Sequence, residues 1–327
     1  MFKKNARNRG FDYYKVPKLP FVQPTQNQFF RIEYDGLSEE PWLLKSNEVR
    51  NCLEKIRKAS SMKLRNYAKC WAGAFTGKDE ILMFPAQDAV PFEEEMSISV
   101  IRADSCARYE YATPSRKIYY PYVEQNGDTV LIPLSELEKK YPETYSYIMQ
   151  HENELKERKD SRVNLGDRIG WYGLVRFGQL SKFKKKKIVS PGEVKNNKFS
   201  LDVTGSAFSC GRVFSITAED ENVSIEYLLA FLNTKLCEFY LHNTAAVKAG
   251  GYYSYSSTSI DDIPFIYSEE KAPIVENLVN EILERKTNHF TTIDLETQVD
   301  DIFNELYGIS DADKKVISGF LDAPNDE

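Results

Sequence analysis

Residues 162–191, RVNLGDRIGWYGLVRFGQLSKFKKKKIVSP, mix flat aromatic side chains with permanent cations. Trp171, Tyr172, Phe177 and Phe183 stand among Arg162, Arg168, Arg176, Lys182, Lys184, Lys185, Lys186 and Lys187. From Lys156 to Lys198 there are 13 Lys/Arg against 4 Asp/Glu, a local charge of +9 in a chain whose net charge is −6. Guanidinium forks, ammonium groups and stacking faces together suit a polyanion, of which nucleic acid is the commonest. A lysine run beside a strand can also be a solvated edge that discourages edge pairing. The upstream Arg and aromatic residues favour the binding reading over that one.

Two glycine sites could bring backbone close to a partner. GAFTGKDE (73–80) holds a Gly-x-x-x-Gly-Lys piece with Thr76 and Lys78. A nucleotide-binding loop needs four residues between the glycines and Ser or Thr after the lysine, so a triphosphate site is not expected. AGGYYSYSSTSIDDIPF (249–265) combines Gly250 and Gly251 with Tyr252, Tyr253 and Tyr255 behind Lys248. The tyrosines can contact a ligand, or they can simply cover core at a loop.

Catalytic chemistry is not signalled. GxSxG, HExxH and GxGxxG are absent, and the carboxylates show no pattern that picks out an acid–base pair. His151, His242 and His289 lie far apart without ligand spacing, so no metal is expected. Five scattered cysteines (Cys52, Cys70, Cys106, Cys210, Cys237) form no CxxC pair and read as reduced thiols of a cytoplasmic protein. No stretch approaches the length of a membrane span, and no apolar run follows MFKKNARNRG as in a signal peptide.

The elements that must position these residues divide the chain in three. Residues 1–58 read as an N-terminal arm or linker broken by Pro17, Pro20 and Pro24, ending in a helix from about Ser46 to Ala59 with Val49, Leu53 and Ile56 at helical spacing. Residues 59–268 carry strand candidates at Ile81–Phe84, 97–103, 117–122 and 127–133, then a helix pair interrupted at Pro142 within 134–160. After the basic stretch, 199–218 alternates like a hairpin around Thr204-Gly205, and a helix capped by Ser224 follows over 224–242. Residues 269–327 form an acidic helical subdomain; from Ser268 onward there are 15 Asp/Glu against 5 Lys/Arg. The expected class is α+β: a twisted, mainly antiparallel sheet with inserted helices and a small C-terminal helical subdomain.

Several blocks carry a specific resemblance. AGAFTGKDEILMF, IRADSCARYEYATPSRKIYYPY, LSELEKKYPETYSYIMQHENELKER, WYGLVRFGQLSKFKKKKIVSP, and YLLAFLNTKLCEFYL followed by GGYYSYSSTSIDDIP occur in order, and LETQVDDIFNELYGISDADKKVI closes the series. Over roughly residues 60–320 the chain resembles the TaqI-like C-terminal specificity domain of adenine-specific DNA methyltransferases, including fused type IIG restriction-modification enzymes. The resemblance implies recognition of double-stranded DNA as the specificity part of an adenine-N6 methylation or restriction-modification system. It implies S-adenosylmethionine on a separate or missing catalytic domain, and a methyltransferase catalytic domain or subunit as partner. The glycine-rich loop for that cofactor and the Asn/Asp-Pro-Pro-Tyr motif do not occur here, nor does a recognisable PD…ExK nuclease pattern. The expectation is therefore the reading half without its chemical half: a fragment, a split subunit or a gene remnant.

The candidate DNA contacts are Arg168, Trp171, Tyr172, Arg176, Lys182, Lys184, Lys185, Lys186 and Lys187, with Thr76, Lys78, Lys248, Gly250, Gly251, Tyr252, Tyr253 and Tyr255 from the glycine sites. A protein-interaction module without DNA binding and a single-stranded nucleic-acid or RNA binder are the alternatives.

Overall fold

The computed structural model describes residues 10–14, 25, 29–34, 45–160, 163–164, 170–208 and 213–323. Its centre is a four-stranded antiparallel sheet in the order Ser200–Asp202, Lys187–Pro191, Val213–Ala218, Ala68–Ala72. The register sets Ile188 opposite Ile216 and Ile216 opposite Cys70, so one face of the sheet is apolar across its width. A second four-stranded sheet runs Ala207–Phe208, Ser97–Ile101, Arg116–Tyr119, Met83–Pro85; its Ala207–Phe208 pairing is parallel. The other ladders, Glu193–Val194 with Tyr252–Ser254 and Ala246–Lys248 among them, are antiparallel. The architecture is the mixed, mainly antiparallel α+β class expected from sequence.

Two hydrophobic clusters divide the molecule. One gathers the helices Asn47–Ala59, Ile225–Leu232, Lys235–Thr244, Ala272–Thr287, Ile293–Leu306 and Asp311–Leu321 against the first sheet, around Tyr227, Phe231, Phe265 and Phe303. The other is built almost wholly from residues 74–183, around Phe92, Tyr119, Tyr122, Ile148 and Trp171, and reaches the first sheet through Val189 and Val213.

Local sequence explains the helix starts. Ser46 accepts from the Val49 amide and Ser224 from the Tyr227 amide, each filling one orphan donor of a first turn. Ser224→Ala is expected to lower stability by about 1 kcal/mol. Urea unfolding with an unchanged m-value is the check.

Three expectations are corrected. The segment 224–242 is two helices, Ile225–Leu232 and Lys235–Thr244: Asn233 ends the first, and Thr234 restarts the second by accepting from the Cys237 amide. The Ile81–Phe84 run is split, Asp79–Leu82 being a helical turn and Met83–Pro85 a strand. The 199–218 segment is not a hairpin. Ser200–Asp202 pairs with Lys187–Pro191, whereas Ala207–Phe208 leaves for the second sheet. The interior bond between Lys187 and Asp202 holds the former strand in that register.

Candidate nucleic-acid interface

The glycine turn 73–78 and the loop 170–179 are joined edge to edge. The Phe75 amide donates to the Arg176 carbonyl at 2.7 Å, and the Arg176 amide returns a bond to the Phe75 carbonyl at 3.1 Å. The turn can lie this close because of its glycines. A Cβ at Gly73 would run into the carbonyl oxygen of Phe208, and Gly77, at φ +73°, packs against Val175.

Beneath both segments lies Arg158, 4% exposed. Its guanidinium donates to the carbonyls of Leu155 (2.9 Å), Thr76 (2.5 Å), Trp171 (2.5 Å) and Gly173 (2.8 Å). One planar fork thus satisfies acceptors from the helical insertion, the glycine turn and the aromatic loop at once. Among the described residues no carboxylate forms an ion pair with it, and burial pushes its guanidinium down to about 10, still protonated at neutral pH. Three tyrosines add bonds: Tyr122 accepts from the Leu174 amide, Tyr172 donates to the Ile132 carbonyl and Tyr120 to the Phe177 carbonyl.

The expected contact residues separate into two sets. On the surface are Arg176, Lys184, Lys185, Lys186, Lys248, Gly250 and Tyr252. Lys182, Lys78 and Gly251 are half-buried. Lys182 sits 4.2 Å from the ring of Trp71, which Lys69 approaches to 4.5 Å, and reaches Glu219 at 3.7 Å. Lys184 lies 3.6 Å from Glu124, and Lys186 bonds Glu226. Lys195 stands over the Tyr252 ring at 5.3 Å, and the sheet register places Lys248 opposite Tyr252.

The second set is interior, which corrects the expectation that these side chains face a ligand. Lys187 has no exposed side-chain surface and is consumed by Asp202 and the Phe183 carbonyl. Trp171 and Tyr172 belong to the second hydrophobic cluster. Thr76 bonds Asp79 within the turn. Tyr253 stacks on His242, and Tyr255 lies parallel to Phe199 with its hydroxyl on Asn197. Arg168 lies outside the described residues. Arg158 was not singled out from sequence, because nothing in the one-letter string marks an arginine whose partners are main-chain carbonyls.

The lysines at 184–186 reach the surface because of what flanks them. The helical turn Leu180–Phe183 buries Phe183 before them, and Lys187 is anchored after them. A three-residue excursion between two fixed points leaves their ammonium groups outward.

Residues 135–265 match the family model described as the TaqI-like C-terminal specificity domain. Over those residues, about two-fifths of the chain, it is similar to a TaqI-like specificity domain. The match spans the helical insertion, the aromatic loop, the basic run, the first sheet's inner strands and the glycine–tyrosine loop. No curated protein matches the chain. Among solved structures it is similar to the type IIL restriction-modification enzyme MmeI in complex with DNA, with 12% identity, TM-score 0.57, and coverage of 80% of this chain and 35% of that one. It is also similar to the type IIG restriction endonuclease BpuSI, with 11% identity, TM-score 0.45, and coverage of 85% of this chain and 35% of that one. The chain thus spans about a third of either enzyme's length. At such identity the likeness to MmeI speaks for the fold alone. Among the described residues no helix is long and apolar enough to cross a membrane.

Proposed function

We propose that this chain recognises a specific sequence in double-stranded DNA and serves as the specificity part of an adenine-N6 DNA methylation or restriction-modification system. The observation that carries the reading is the pair of loops locked by Arg158, with Arg176 and Lys184–Lys186 on the exposed side. Cations of this kind set a protein's register on phosphates, and a rigid loop pair can then address base edges. The TaqI-like match, and a structural neighbour described in complex with DNA, support the same reading.

Methyl transfer is assigned to a separate catalytic domain or subunit that binds S-adenosylmethionine, with this chain clamping the duplex so that an adenine can be extruded toward it. Ile274, Phe290 and Ile293 are exposed on the acidic helical region, 51%, 67% and 76% respectively. An acidic surface repels phosphate, so these apolar side chains fit a protein partner such as that catalytic domain.

The test is selection from a random duplex library at two salt concentrations. One short adenine-containing site that survives the higher salt is expected; weak binding that vanishes with salt and enriches nothing would refute the reading. If Lys184, Lys185 and Lys186 neutralise phosphates, replacing all three by alanine should reduce the slope of log K against log[salt] by about 2–3. An unchanged slope would assign the lysines to their carboxylate neighbours alone.

A further inference from the structure

Phe75 is 40% exposed on a segment whose main chain is bound on every side. Its own amide and carbonyl are paired with Arg176, the Ala74 amide donates to the Phe208 carbonyl at 2.8 Å, and the Thr76 carbonyl accepts from Arg158. These bonds fix the main chain that carries the ring, and two-fifths of the residue's surface stays open to solvent. We infer that Phe75 is a specificity-determining residue that packs on the 5-methyl group of a pyrimidine in the major groove of the recognised duplex. The inference rests on the DNA reading above.

A phenyl ring pressed on phosphates or polar base edges strips water from them and returns no hydrogen bond. The major groove offers one apolar group, the methyl on C5 of thymine, and phenylalanine is among the side chains that contact it. 5-Methylcytosine carries the same methyl at the same ring position. Arg176 stands directly opposite Phe75, so the two side chains leave one face of the paired segments with Cβ atoms about 5 Å apart. A cation there draws the duplex to the ring. Insertion between base pairs fits less well: a wedge must project, whereas more than half of this residue's surface is covered.

The experiment starts from the duplex enriched by the full chain. Each thymine is replaced singly by uracil, which deletes the methyl and nothing else, and each cytosine in turn by 5-methylcytosine. One thymine-to-uracil change is expected to weaken binding roughly three- to tenfold, the worth of about one buried methyl. Phe75→Ala should bind the thymine and uracil duplexes equally, and Phe75→Leu should keep part of the difference. If the methyl belongs to 5-methylcytosine, the same pattern appears on cytosine methylation instead. Binding that no such replacement changes, or Phe75→Ala discriminating as the unchanged protein does, overturns the inference and leaves the DNA reading intact. A full chain that enriches no duplex overturns both.

Discussion

Replacing Lys187 by methionine is expected to destabilise the protein by about 3–5 kcal/mol, the effect of stranding one partner of a buried ion pair. Lys187 and Asp202 face each other across two adjacent strands, and neither side chain is exposed. Burial lowers the lysine pKa, and the neighbouring carboxylate offsets this only in part. The geometry compensates the desolvation: the ammonium also donates to the Phe183 carbonyl at 2.6 Å, and Asp202 accepts from the Thr204 amide at 2.7 Å and hydroxyl at 2.6 Å. Without the lysine, Asp202 must stay charged in the interior or take a proton. Pairing Lys187→Met with Asp202→Asn should therefore recover a good part of the loss. Urea unfolding of the two single variants and the double variant measures the coupling directly. Single variants that lose less than 1 kcal/mol would mean that water reaches the pair.

Acidification should cost the native state a further large amount, traceable to His242. Its side chain is 4% exposed and stacks on Tyr253 with ring centroids 3.7 Å apart. Burial first, and Lys45 second, push the imidazole down from 6.5 to about 4. The native imidazole is therefore neutral where the unfolded one takes up a proton. Stability is complete above pH 6.5 and falls as the pH drops toward 4, by up to about 3 kcal/mol. Glu238, whose carboxylate lies 3.8 Å from the imidazole Nε2, and Asp300 act in the opposite sense. Burial raises both carboxyls, so the native state binds their protons before the unfolded chain does. His242→Phe keeps a flat ring against Tyr253 and removes the titrating group. Among the described residues its Nε2 makes no hydrogen bond. The variant should gain on the unchanged protein steadily between pH 7 and pH 4, and parallel pH profiles would remove His242 as the cause.

How much of this was legible in the sequence depended on how local the cause was. The helix at Asn47–Ala59 was readable because its cap and its apolar spacing both lie within the segment. The break at Asn233 was not. Seven of the eight residues from Ile225 to Leu232 are buried, so the apolar stripe has no polar face to set its phase, and the pattern runs on unbroken. The basic run shows the same limit at the level of single side chains. Lys187 is indistinguishable from Lys184–Lys186 as a letter; its partner fifteen residues on separates it from them. In the glycine–tyrosine loop the alternation of the strand Tyr252–Ser254 does carry the information, since consecutive tyrosines must point to opposite faces. Tyr252 is accordingly exposed and Tyr253 buried.

The division into two hydrophobic clusters has an evolutionary side. The chain leaves the first sheet after Ala72 and returns to it at Lys187, on two strands separated only by Val213–Ala218. Two inter-strand spacings and a three-residue offset along the strands put those points about 14 Å apart. Most of the buried apolar residues described between them pack around a core of their own. The described residues of this excursion are tied to the rest at two further places: Ala207–Phe208 supply an edge strand of their sheet, and Tyr109 is buried in the other cluster with its hydroxyl on the Ala230 carbonyl, so an exchange of the excursion would have to preserve both seats as well as the exit and re-entry points. On the proposed DNA reading, an exchange within those limits would alter the contacting loops while the helical frame stayed as it is.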